Sequence, residues 1–137
     1  MPKLNLTEAE LAAAARAMLR NSYSPYSHFR VGAALETSKF LYTGTNIENR
    51  SYGLTICAER TAVVTAVANR ERKFKRLAIA ADTDHFVTPC GACLQVLSEF
   101  CDDLPIVLVN GAGKIKRTSL KKLYPAPFVF ASRRAKK

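Results

Sequence analysis

The chain alternates mixed polar and apolar stretches with short, nearly continuous apolar runs. "LTEAELAAAARAMLR" opens with Thr7 and carries Glu10 three residues later. That is a capping box, and Leu6 and Leu11 are spaced for a hydrophobic staple across it, so a first helix is predicted from about Glu8 to Arg20. "NSYSPYSH" reads as a turn-rich loop around Pro25. "FRVGAALE" and "FLYTGTN" then read as two strands of a hairpin joined near Thr37 and Ser38. A second helix is predicted from about Cys57 to Asn69, "RLAIAAD" as a short buried strand, and a third helix from "TPCGAC" to about Cys101. "PIVLVN" reads as another buried strand, "KIKRT" as an edge strand, and "SLKKLY" as a short helix ended by Pro125. A hairpin feeding strands that alternate with helices predicts a three-layer α/β/α sandwich with a mixed five-stranded sheet.

Length and composition sharpen this picture. At 137 residues the chain fits a single domain over 1–137. A domain of that size buries roughly two-thirds of the surface its unfolded form exposes. Hydrophobic residues make up 48% of the chain, which argues against disorder despite a net charge of +10. Nine of the 21 basic residues fall in 114–137, which holds no acid, leaving 1–113 nearly balanced. About 130–137, including "ASRRAKK", reads as a frayed basic tail. Such a tail suits a solvated end better than a nucleic-acid contact, so nucleic acid is not expected as a partner. The first residues, "MPKLNLTEAE", have no apolar core of a secretory signal, and no run approaches membrane-spanning length. A cytoplasmic protein with no membrane contact is expected. There, four cysteines with one C-x-x-C point to metal or catalysis before disulfides.

Cys90 and Cys93 sit three apart at the start of a helix, so both thiols point to one side and can share an ion. Pro89 suits the first helical position. Cys57 begins the other helix, and exposed N–H groups at both helix starts favour thiolates. Three thiolates from two helix N-termini make a zinc site with one position open, as a catalytic zinc requires. Structural zinc fingers close four ligands, usually as pairs about 15 to 20 residues apart. Here Cys57 stands alone 33 residues before Cys90. Cys101, two helical turns beyond Cys93, reads as a packed thiol, and His28 and His85 as loop residues.

Glu59 converts a zinc site into a hydrolytic one. Two residues from Cys57, it is off that residue's face and better placed to approach the open position, where a general acid/base is needed. Read alone, it is also a carboxylate complementing a helix dipole. Arg60, one turn beyond Cys57, is either a surface arginine or a donor to the thiolate sulfur that withdraws charge from it.

"CAER" followed by "PCGAC", together with "PYSHFRVGAAL", "NIENRSYGLTICAER" and "LYPAPF", resembles the small homotetrameric zinc-dependent cytidine deaminases. The likeness runs from about Tyr23 to Phe128. It implies one zinc ion per subunit on Cys57, Cys90 and Cys93, and Glu59 as the proton shuttle. Hydrolytic attack at C4 of cytidine or deoxycytidine would give uridine or deoxyuridine and ammonia, a step of pyrimidine salvage. The resemblance further assigns Phe29 to stacking on the pyrimidine, Asn46 and Glu48 to the ribose hydroxyls, and the backbone of Ala58 to the pyrimidine edge. Tyr52 and Phe128 would reach a neighbour's site across a tetramer interface. Read without the family, Phe29 is a core residue opening a strand and "TGTNIEN" is a turn. Two departures stand out: Leu94 where the family commonly has Arg after "PCGAC", and Arg50 where a small residue commonly follows "NIEN". Arg50 raises the alternative of a cytosine substrate bearing an anionic group. A blasticidin-type antibiotic is a further substrate alternative, and a zinc-stabilised RNA-binding module is a reading from another class.

Overall fold

In the computed structural model, which describes residues 4–130, strand alternation divides the core in two. Strands β1 (Val31–Thr37), β2 (Leu41–Thr45), β3 (Phe74–Ala81), β4 (Pro105–Val109) and β5 (Ile115–Ser119) form one sheet in the order β2-β1-β3-β4-β5. β3 and β4 are parallel and the other three pairings antiparallel. Successive strand residues point to opposite faces. Ala33, Leu35, Leu77, Ile79, Ile106 and Leu108 therefore meet α2 (Ala58–Ala68) and α3 (Gly91–Phe100), while Ala34, Ala78, Ala80, Val107 and Val109 meet α1 (Glu8–Ala17). The result is a three-layer α/β/α sandwich. A fourth helix, α4 (Leu120–Leu123), is capped by Ser119, whose hydroxyl accepts from the Lys122 N–H at 3.2 Å.

The element boundaries differ from the predictions where local bonds compete with regular ladders. The Thr7–Glu10 capping box is present, with bonds of 3.0 and 3.1 Å. The α-helix it starts ends at Ala17, not Arg20; Met18–Asn21 tightens into a 3-10 turn that satisfies end carbonyls by shorter bonds. Phe29 and Arg30 stay outside β1, because the Asn46 side chain takes both the Phe29 carbonyl (2.7 Å) and the Val31 N–H (3.0 Å). β3 begins two residues before "RLAIAAD", its Phe74 ring packing 5.3 Å from Phe100. The predicted tail lies outside the described residues except for Phe130. No helix among the described residues is long and apolar enough to cross a membrane.

Gly44 sets how closely α2 approaches the sheet. A Cβ there would lie 2.4 Å from the Ala58 carbonyl oxygen and 2.5 Å from the Ala62 nitrogen, both backbone atoms that cannot rotate away. Gly44→Ala is expected to cost about 1–3 kcal/mol, read from the denaturant midpoint. An unchanged midpoint would show that the helix does not need this contact.

Candidate active site

Cys57 and Cys90 are the N-cap residues of α2 and α3, and neither spends its side chain on capping. The freed sulfurs meet across the gap between the helices. Cys57 Sγ lies 3.7 Å from Cys90 Sγ, Cys90 Sγ lies 3.6 Å from Cys93 Sγ, and all three fall within 4.8 Å of one another with no disulfide. A tetrahedron with zinc–sulfur bonds of ~2.3 Å has edges of about 3.8 Å. The donor set therefore fits zinc, with one position left open. Pro89 does not occupy the first helical position as expected. Cys90 adopts the extended N-cap conformation (φ −70°, ψ 168°), so the helix starts at Gly91 and Pro89 precedes the cap. Cys101 is buried in the core on the α2/α3 side of the sheet.

Three thiols this close resist ionising together. A hydrogen bond from Cys93, with help from Arg60 and Cys90, lowers Cys57 to about 5. Its bond to Cys57, burial and the nearby Glu59 charge push Cys93 upward. A divalent ion removes this conflict by taking all three as thiolates. Arg60 donates to Cys57 Sγ at 3.4 Å from one turn along α2. Leu94 packs against the apolar core, so it contributes no charge to the sulfurs. Arg60→Ala is expected to weaken zinc retention by about 10- to 100-fold and to lower turnover. The rate of zinc transfer to a chromogenic chelator measures the first effect, and unchanged transfer would count against this role.

Glu59 is 5% exposed, on the first turn of α2. Burial raises its pKa to about 7, aided by the Cys57 charge and opposed by its own backbone N–H, Cys93 and Arg60. A carboxyl poised there exchanges protons readily near neutral pH. Glu59 and Ala58 line a cavity of about 190 Å³ with Phe29, Asn46, Glu48, Cys57 and Cys90. As the first residue of α2, Ala58 has an N–H with no intrahelical acceptor, which leaves it free to meet a ligand.

Asn46 and Glu48 also hold the cavity together. Asn46 Oδ1 accepts from Val31 N–H and from the Ser22 hydroxyl (2.6 Å), and its amide donates to Phe29. Glu48 Oε1 accepts from the Tyr26 and Ser27 N–H groups at 3.0 and 3.2 Å, and Oε2 accepts from the Ser27 hydroxyl. The structure does not bring Tyr52 or Phe128 to this cavity; they are 68% and 66% exposed. Sequence reasoning missed Val31, Thr55, Val87 and Thr88, which complete the lining. It also missed Ser22 and Ser27, whose only signal was a serine-rich loop ahead of Phe29.

The model for the cytidine and deoxycytidylate deaminase zinc-binding region matches residues 6–109. A cytidine deaminase of Sporosarcina psychrophila is 47% identical over 121 residues, spanning 87% of this chain and 89% of the relative. A probable cytidine deaminase of Dictyostelium discoideum is 50% identical over 109 residues, 78% of this chain and 74% of the relative. The crystal structure of cytidine deaminase from Burkholderia pseudomallei superposes with a TM-score of 0.86 at 42% identity, over 90% of this chain and all of that one. With the three-thiol cluster and buried glutamate carried on the same framework, the chain belongs to the cytidine and deoxycytidylate deaminase family.

Proposed function

We propose that this protein is a zinc-dependent hydrolase that converts cytidine and deoxycytidine, with water, to uridine or deoxyuridine and ammonia, in pyrimidine salvage. The observation that carries this reading is a buried glutamate beside a three-thiol cluster, at the base of a cavity shared with Phe29, Asn46 and Glu48.

Cys57, Cys90 and Cys93 would hold zinc, which when bound would supply the Lewis acidity that activates water. Every other part of the work falls to the chain. Phe29, 39% exposed at the cavity wall, offers its ring as a platform for the pyrimidine. The Ala58 backbone meets the pyrimidine edge. Asn46 keeps one amide hydrogen and Glu48 one lone pair after their internal bonds, which suits a pair of sugar hydroxyls. Glu59 takes a proton from the attacking water and passes it to ring N3 as the C4–O bond forms. It then takes the second proton from the new C4 hydroxyl and delivers it to the amino group as the C4–N bond breaks and the C4 carbonyl forms, so that ammonia leaves.

The protein works as a homotetramer in the cytoplasm, with Tyr52 and Phe128 serving a neighbour's cavity. Support comes from the outward placement of Tyr52, Leu54, Val64 and Phe128, large apolar side chains each more than half exposed. Phe128→Ala is expected to lower kcat/KM about tenfold while leaving unfolding unchanged; unaltered kinetics, or an active monomer by light scattering, would refute the shared site.

Ammonia release from cytidine, deoxycytidine, CMP and blasticidin S tests the substrate. Turnover of the two nucleosides supports the reading. Activity confined to CMP would move it to a nucleotide and implicate Arg50, and activity confined to blasticidin S would move it to the antibiotic.

A further inference from the structure

The loop that carries Phe29 is tied to Glu48 through one hydroxyl. Ser27 Oγ donates to Glu48 Oε2 and accepts the Phe29 N–H at 3.0 Å, so it joins the carboxylate to the backbone of the ring. His28, between them, has φ 59°, in the left-handed region that few non-glycine residues adopt, histidine more often than most. The same loop is pinned by the His28 N–H to the Ser24 carbonyl (3.0 Å) and by the Glu48 N–H to the Tyr23 carbonyl (2.8 Å). Backbone held in such a region persists where its surroundings over-determine it, and such residues cluster at ligand clamps.

Glu48 accepts three bonds, two on Oε1 and one on Oε2. A carboxylate offers about four lone-pair sites, so the acceptor left for a ligand is on Oε2, the oxygen that Ser27 fixes. Its pKa is lowered, chiefly by the Ser27 hydroxyl, which keeps it an acceptor. We propose that Ser27 is a positioning residue for sugar recognition: its hydroxyl orients Glu48 Oε2 toward the ligand's ribose hydroxyls and locks that orientation to the Phe29 loop. This rests on the reading that Glu48 binds the sugar.

The test uses product binding to the zinc-loaded protein, measured by calorimetry with uridine and with 2′,3′-dideoxyuridine, which lacks the hydroxyls. Ser27→Ala is expected to weaken uridine about tenfold, as for loss of a well-set hydrogen bond to a charged group, and to leave dideoxyuridine unchanged. Ser27→Thr, which keeps the hydroxyl, should restore uridine binding. Equal weakening of both ligands would mean that Ser27 only supports the cavity wall, and unchanged affinity for both would mean that Glu48 needs no such support. Either result overturns the proposal. Glu48→Gln separates the underlying reading: if it leaves the preference for uridine over dideoxyuridine intact, Glu48 does not read the sugar and the proposal falls with it. If Glu48→Gln erases that preference and Ser27→Ala does not, the reading stands and only the role of Ser27 is lost.

Discussion

Glu59→Gln is expected to lower kcat on cytidine by about 10²- to 10⁴-fold, the contribution usual for a positioned general acid/base, while zinc content and folding stay at wild-type levels. The amide matches the carboxylate in size but neither accepts a proton from water nor delivers one to N3. Folding should tolerate the change because Glu59 gains little from being charged: burial already raises it to about 7. KM should move far less than kcat, since the group acts on protons that transfer only as the reaction proceeds. A loss of less than tenfold would remove Glu59 from the proton path.

Removal of zinc is expected to take turnover to background, and one equivalent per chain to restore it. All three sulfurs come from residues set at helix starts, so the two helices hold the site without depending on the ion for their own hydrogen bonds. The metal-free protein should therefore keep its far-ultraviolet dichroism. Cys57 and Cys90 should become reactive to a thiol reagent on removal, while buried Cys93 and Cys101 lag. Cys90→Ala should leave less than one zinc per chain after dialysis. Full turnover in protein shown to be metal-free would sink the zinc reading.

The sequence made some of this legible for local reasons. The Thr7–Glu10 capping box requires only four consecutive residues, and the buried strands announce themselves by apolar runs too short for helices. Helix ends were less legible, because Met18–Asn21 chose a tighter turn and Phe29 left its strand in response to Asn46, a residue 17 positions away. Pro89 misled for a related reason: the residue after it had to be a cap so that its sulfur could face Cys57.

The sequence by itself determined the chemical kinds present: a C-x-x-C with a third cysteine, a glutamate two residues from it, and an alternation of elements that makes a mixed sheet. Tertiary structure alone decided their distances and environments. It brought Cys57 to 3.7 Å from Cys90 across 33 residues, buried Glu59 until its pKa rose to about 7, and used most of the bonding capacity of Asn46 and Glu48 to fold the Phe29 loop. Residue type and spacing fix what a side chain can do and which local turn it favours. Solvent exclusion and contacts between distant segments exist only after the layers pack, and those set pKa, open coordination and which lone pairs remain for a ligand.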